Sequence, residues 1–521
     1  MERTAFNDWL AWLEQGYTSL PLLLKRPLAN GEGRPASWEA AWKAASPHAF
    51  VLESGKDGRY TYLGLHPSSV IRGKGMEAEA VDRDGRTTAY KTKPLEAVRS
   101  WMGGRKAPRV PGAPKWTGGC AGFWSYDVIR SIERLPELAA DDLGLPDYLF
   151  MRMDELWIVD HREEQLYCAV HTAIAGGQET QEQVERLYAE ASARADGMAE
   201  QWAAFAGGEA AAAAEAERRA RTLFMEDGSL LIDVEAVNGI ESPFAKEAFK
   251  AAVERIRSYI AAGDVFQVNL SQRQSRRIQS DPEELYEWLR LFNPSPYMGF
   301  LNCPDFQLVS ASPELLVELS DGKLATRPIA GTRRRGRTEE EDRQMAEELR
   351  SNEKERAEHI MLVDLERNDL GRISAYGTVR VSELMVIEYY SHVMHLVSQV
   401  EGIIAEGKDA YDVIGATFPG GTITGAPKIR TMEIIEELEP TRRGPYTGSL
   451  GWIDYNGDME FNIIIRTMSV KDEVVHIQAG AGIVIDSEPE REYRESLNKA
   501  KALWKAIEYS EQWAEANRVR L

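Results

Sequence analysis

Two stretches of the chain each carry a pair of carboxylates at a spacing that would place both on one helix face. In NEKERAEHIMLVDLERNDLGR (352–372), Glu355 and Glu358 stand three residues apart, and residues three apart on a helix are neighbours. In PEREYRESLNKA (489–500), Glu492 and Glu495 repeat that spacing, with Lys499 one turn beyond Glu495. Each stretch alone also reads as a solvated amphipathic face carrying ion pairs. Glu358 and His359, however, run directly into the apolar IMLVDL, where an unpaired charge is costly unless a cation or ligand meets it. Two helices that each offer a carboxylate can jointly hold Mg²⁺, which takes few protein carboxylates and fills its shell with water and substrate oxygens.

Other groups could complete a pocket around them. FPGGTITGAPK (418–428) runs from small-residue turns into a helix beginning near Pro427, leaving backbone N–H groups for an anion. It does not match the GxxxxGK[ST] phosphate loop. In QAGAGIV (478–484), Gly480 and Gly482 either let a ligand approach a strand closely or mark a bulge. His392 and His395 lie in the strand-like YYSHVMHLVSQVEG, pointing to different faces, and histidines in such a run serve the core more often than catalysis. Arg466 ends the apolar FNIIIRTMSV and needs a negative partner, for which a substrate carboxylate would serve. Together these groups sketch a water-poor pocket for a small dicarboxylate.

The elements that must position them change in texture along the chain. Residues 1–205 are β-rich after the first 50: AFVLES, GRYTYLGL, GGCAGFWSYD, YLFMRMDELWIVDH and EQLYCAVHTA alternate apolar residues between turns. Residues 206–242 are Ala-rich and read as a linker or excursion. Residues 243–510 open on the helix PFAKEAFKAAVERIRSYIAAGD, which stops at Gly263. Strands, a block of helices, more strands and a last helix from 489 follow. Blocks of this kind, without strict βαβ alternation, predict an α+β fold with large antiparallel sheets.

Composition narrows the function classes. The 521 residues are 43% hydrophobic and 28% charged, with a formal net charge of −21, so a nucleic-acid role would need a concentrated basic face. The densest basic stretch, RPIAGTRRRG (327–336), is followed at once by TEEEDRQMAEE, which speaks against one. No apolar run approaches the roughly 20 residues that span a bilayer, and MERTAFNDWLAWLEQGY is not a signal peptide. Three widely spaced cysteines, Cys120, Cys168 and Cys303, offer neither a disulfide framework nor a CxxC zinc site and suit a reducing, cytoplasmic setting.

EKERAEHIMLVDLERNDLGR, SHVMHLVS, FPGGTITGAPKIRTMEIIEELEPTRRGPY, NIIIRT, QAGAGIV and ESLNKAKA together resemble the chorismate-utilising enzymes. That family includes component I of anthranilate synthase and of aminodeoxychorismate synthase, with isochorismate and salicylate synthases further off. The likeness covers about 243–508, and FVLESGKDGRYTYLGLHP matches the other end of the component I groups. It implies a sandwich-like core of large sheets flanked by helices, with the two regions intertwined. It also implies Mg²⁺ as cofactor, with Glu358 and Glu495 as its ligands, shared with the ring carboxylate of chorismate. His395 is implied as the general acid that protonates the departing ring hydroxyl, and Glu355 as the base facing the nucleophile. Tyr446, Arg466, Gly480, Gly482 and Lys499 are implied as the grip on carboxylate and ring, with Gly331, Thr332 and Thr422 lining the same pocket.

The family nucleophile is ammonia, supplied by a separate glutaminase subunit. One component I reaction aminates ring carbon 4 and keeps the enolpyruvyl group; the other aminates carbon 2 and expels pyruvate. Ala330 stands where several aminodeoxychorismate synthases carry a lysine, as it does in anthranilate synthases. YTGSLGWIDYNGDMEFNIIIRT, with Trp452 and Asn462, is similar to the folate-type enzymes of Bacillus-like bacteria, which also carry PIAGT. The resemblance therefore favours the aminodeoxychorismate reaction, with anthranilate formation as the alternative. Glu53 and Ser54 of VLES, with Asn293, Pro294, Tyr297 and Met298 of NPSPYMG, resemble a tryptophan pocket.

Overall fold

The computed structural model describes residues 1–29, 32–55, 58–174, 179–225, 232–389 and 393–518. Its described strands make two large antiparallel sheets. The first runs from Glu2–Arg3 and Ser19–Pro27 through Ala49–Glu53 and Tyr297–Cys303 to Val474–Ile483, Gln267–Arg277 and Gly425–Ala426. The second runs from Ile329–Arg334 and Val393–Ile403 through Met459–Ile463, Ser449–Asp454 and Gly119–Trp124 to the edge strands between Ser69 and Lys91. Early and late segments pair in both: Met298 lies opposite Glu53 in the first sheet and Ser449 opposite Trp124 in the second.

The sheets face each other across a buried layer: large antiparallel sheets as the strand blocks predict, in the sandwich that the family resemblance implies. Phe50, Leu301 and Leu308 of one meet Phe123, Met151 and Leu450 of the other, and the Trp116 and Trp452 rings stack 5.5 Å apart. Helices cover the outer faces. The helix Pro489–Arg518 buries Tyr493, Leu497, Ala500, Trp504 and Ile507, an alternation of four- and three-residue steps that makes one apolar stripe. That stripe fixes the opposite rotation for Glu495 and Lys499. Within the Ala-rich stretch, Gly208–Phe224 is helical; Arg221 pairs with Glu284 at 2.8 Å and the Phe224 ring lies 5.4 Å from Trp513.

The basic stretch 327–336 is neutralised within the fold. Arg333 pairs with Glu348 at 3.0 Å, Arg335 with Asp342 at 2.5 Å, and Arg334 with Glu341. Among the described residues, no helix is long and apolar enough to cross a membrane.

Candidate active site

The chemistry-bearing residues converge on one cavity of about 930 Å³. Glu355, His395, Gly331, Thr332, Thr422, Tyr446, Arg466, Gly480, Gly482, Lys499, Glu358 and Glu495 all line it. They arrive from two helices, Glu353–Gly371 and Pro489–Arg518, from three strands and from the turns around 422, 446 and 466. His392 lies outside the described residues.

Gly331 shows how a strand admits a glutamate from a helix. Pairing of Ile329–Arg334 with Val393–Ile403 shifts register between Ala330 and Thr332, and Gly331 sits in that bulge at φ +62°, a conformation that suits glycine. A Cβ there would lie 2.9 Å from Glu355 Oε2 and 2.8 Å from Leu349 Cδ1. The room left by the missing side chain is filled by Glu355. Its carboxylate accepts from Arg333 Nη1 at 3.0 Å, and its backbone N–H donates to the capping Asn352 Oδ1 at 3.0 Å.

The same bulge orients His395. Its Nδ1 lies 3.1 Å from the Gly331 carbonyl and 3.0 Å from Thr332 Oγ1. A carbonyl only accepts, so Nδ1 carries the proton and Nε2 is the second, titrating nitrogen. Burial, with a smaller push from Arg466, lowers the imidazole to about 4. With protein groups alone around it, His395 is neutral at pH 7.

Further carboxylates gather on the same lining. Glu358 is raised above the usual range by burial, and further by Glu355, Glu495 and Glu492, against Lys354. Glu492 is raised by burial and by Glu495, against a Ser487 hydrogen bond. Lys499 answers part of this charge, bonding Glu495 at 3.1 Å and the Gly480 carbonyl at 2.9 Å. This mutually repelling, all-oxygen donor set suits a hard divalent cation. Among the described residues, no three metal-ligating side chains form a ready-made cage, so a cation here would draw further oxygens from substrate and water, as Mg²⁺ does.

Glu314 also lines the cavity and was not singled out in the sequence. It is 8% exposed, and burial pushes its carboxyl up to about 7 against Thr422, Arg466 and Lys499. The carboxyl therefore titrates near neutral pH. Nearby, Arg466 holds φ +50°, a left-handed conformation costly for a side-chain-bearing residue and typical of functional sites. The buried Oδ1 of Asn269 and Oε1 of Gln267, both on the lining, have no hydrogen-bond partner among the described residues. Gly480 and Gly482 make room for these two: a Cβ would lie 2.6 Å from Asn269 Oδ1 and 2.4 Å from Gln267 Nε2, respectively.

Residues 48–505 match the family of chorismate binding enzymes. The chain belongs to that family. Among characterised relatives, aminodeoxychorismate synthase component 1 of Bacillus subtilis is 47% identical over 466 residues, covering 89% of this chain and 93% of that one. Anthranilate synthase component 1 of Thermus thermophilus is 44% identical over 480 residues, with the same coverage. The crystal structure of anthranilate synthase component I from Streptococcus pneumoniae superposes with a TM-score of 0.68 at 33% identity, covering 86% of this chain and 92% of that one. The menaquinone-specific isochorismate synthase of Escherichia coli shares the fold, with a TM-score of 0.61 at 16% identity over 96% of this chain and 99% of that one.

This chorismate-binding enzyme has a second cavity, of about 250 Å³, lined by Glu53, Ser54, Pro294 and Met298. Asn293 and Tyr297, expected with them, are not on its lining. Arg290 closes one side: it bonds Glu53 at 2.5 Å, Glu287 at 2.6 Å and the Pro35 carbonyl at 2.9 Å. Trp452, part of the folate-type signature, packs between the sheets; neither it nor the buried Asn462 reaches the catalytic cavity.

Proposed function

We propose that this enzyme is component 1 of an aminodeoxychorismate synthase, converting chorismate and ammonia to 4-amino-4-deoxychorismate and water. The observation that carries this reading is the 47% identity to the Bacillus subtilis aminodeoxychorismate synthase component 1 across nearly the whole of both chains. "Component 1" in the relatives' names, together with the lack of a recognisable glutaminase nucleophile motif, supports a separate glutaminase subunit as the ammonia source. Ala330 lines the cavity and cannot act as a nucleophile, so no covalent attack comes from that position, and either ammonia adds to the ring directly or another group does that work.

In this reading Lys499, Arg466 and the glycine-lined strand around 480–482 grip the substrate carboxylates, with Tyr446 against the ring. Glu355 faces the incoming amine and takes the proton it sheds as the C–N bond forms. Glu314, which holds a proton near neutrality, gives it to the departing hydroxyl, which leaves as water. His395 is neutral until a bound dicarboxylate raises its pKa; once protonated it serves in Glu314's place as the donor to the departing hydroxyl, the general-acid role that the family resemblance implies. Glu358 and Glu495 would hold Mg²⁺, which when bound neutralises the ring carboxylate against the acidic helices. L-Tryptophan is the proposed occupant of the second cavity.

The test is incubation with chorismate, Mg²⁺ and an ammonium salt, with the product identified by mass. An amine that keeps the enolpyruvyl group supports the proposal. Anthranilate fluorescence with pyruvate release would replace it with the second reading, anthranilate synthase, which the 44% identity to the Thermus thermophilus enzyme favours.

A further inference from the structure

Behind the cavity wall lies a buried ion pair whose two residues are not themselves on the lining. Arg443 is 2% exposed and Glu439 4%. Arg443 Nε donates to Glu439 Oε2 at 2.9 Å, and Nη2 to Oε1 at 2.7 Å. Nη2 also donates to the Asn269 carbonyl at 2.7 Å, and Nη1 to the Ile423 carbonyl at 3.0 Å and Thr447 Oγ1 at 3.3 Å. A guanidinium has five N–H groups in a fixed fork, and all five are engaged. The plane also lies 5.6 Å from the centroid of the Tyr446 ring and 5.0 Å from that of Tyr126. Glu439 Oε1 accepts in turn from the Ser271 N–H at 2.9 Å and its hydroxyl at 2.8 Å, while that hydroxyl accepts from Gln478 Nε2 at 2.8 Å.

Asn269, Ile423, Tyr446 and Gln478 all line the catalytic cavity, and they come from four separate segments of the chain. One guanidinium and its carboxylate therefore set the relative positions of four wall pieces. With no donor left over, Arg443 does not bind the substrate.

Resting on the proposed use of this cavity for chorismate, we propose that Arg443, through Glu439, is a positioning residue for substrate binding. It fixes the wall formed by Asn269, Ile423, Tyr446 and Gln478 while the reacting groups Glu355, Glu314 and His395 are held by other contacts. A wall that meets substrate and transition state alike acts on KM rather than kcat. Lysine at 443 would keep the charge but offers three donors from one point instead of a fork, so it restores the wall only in part.

The test compares Arg443→Lys, Arg443→Met and Glu439→Gln with the wild type in steady-state kinetics with ammonium salt. Thermal midpoints and chorismate binding by intrinsic fluorescence are measured on the same preparations. The expected result is a rise of about tenfold in KM for chorismate in Arg443→Lys, larger in Arg443→Met, with kcat changed less than about threefold. Chorismate binding weakens in parallel, and the KM for ammonium is unchanged. Folded Arg443→Lys and Glu439→Gln proteins with wild-type KM and wild-type binding would overturn the proposal, leaving the pair a stabiliser only. If Arg443→Met does not fold, those two variants decide. A wild type that binds chorismate without aminating it would refute the functional reading, yet the binding ratios would still judge Arg443.

Discussion

Replacing Gly331 by alanine tests whether Glu355 belongs to the reacting centre, because two costs of different kind fall on that position. The first is backbone strain: φ is +62°, and a side-chain-bearing residue pays about 1–2 kcal/mol in that region. Unfolding entropy of about 2.1 cal/mol/K per residue amounts to about 1.1 kcal/mol/K for a chain of this length, so the strain lowers Tm by only about 1–2 °C. The second cost is displacement. The new Cβ would lie 2.9 Å from Glu355 Oε2, where ordinary contact begins at 3.4 Å, so the carboxylate retreats by at least 0.5 Å (3.4 − 2.9). Since a misplacement of about 1 Å costs roughly 100-fold in rate, about half that distance predicts a fall of about tenfold in kcat. Gly75→Ala supplies the control, with φ +56° and nothing within 4 Å of the added Cβ. It is expected to show the strain part of the Tm loss with unchanged kcat, without the crowding of the buried Leu349 Cδ1 that Gly331→Ala adds at 2.8 Å. Turnover with ammonium salt and thermal unfolding measure both effects. A Gly331→Ala enzyme with kcat within twofold of wild type would refute the placement of Glu355 at the chemistry.

Glu314→Gln is expected to lower kcat at neutral pH and to erase the decline in rate expected of the wild type as pH rises through about 7; a pH–rate profile checks this. The same substitution has a stability signature. A carboxyl raised on folding from about 4.5 to about 7 binds its proton more tightly in the folded state, so its contribution is complete below about 4.5 and is lost as pH rises to about 7. In urea melts across that window, stability of the wild type should decline relative to Glu314→Gln. Glu358→Gln should raise the Mg²⁺ concentration needed for half-maximal rate by about tenfold or more and weaken Mg²⁺ binding in calorimetry; an unchanged Mg²⁺ requirement would remove Glu358 from the metal site. L-Tryptophan should raise the thermal midpoint of the wild type, and Arg290→Met should abolish that rise, since Arg290 ties Glu53, Glu287 and the Pro35 carbonyl together at the second cavity.

Much of the cavity was legible because its helices announce themselves. Glu355 and Glu358 sit one helical turn apart ahead of an apolar run, and Glu495 and Lys499 lie opposite a stripe whose spacing is plain in the sequence. Glu314 was not legible. SASPELLVEL reads as a strand interrupted by proline, and nothing in its period shows that the glutamate turns into a cavity shared with Arg466, 152 positions later (466 − 314). Arg443 escaped for a similar reason: TRRGPY looks like a polar turn, while its guanidinium is buried by tertiary contacts alone. The edge strands between Ser69 and Lys91 carry a weak signal because one side faces solvent and several positions are charged. In the Ala-rich stretch, composition favoured helix but gave no hint of the contacts that seat it, Arg221 with Glu284 and Phe224 with Trp513.

The pairing of early with late strands also sets a timetable for synthesis. Trp124 finds its partner Ser449 only 325 residues further on (449 − 124). At about 5–20 residues per second, the ribosome takes roughly 15 to 65 seconds to cover that distance. For all that time the strand Gly119–Trp124, buried on both faces in the finished protein, presents an unpaired edge of the kind that recruits other chains. The helix bearing Glu495 and Lys499 emerges later still. A nascent chain of this enzyme thus has neither a closed second sheet nor a complete catalytic cavity until its last quarter is made, and its yield in a cell should depend on holdase chaperones more steeply than its final stability would suggest.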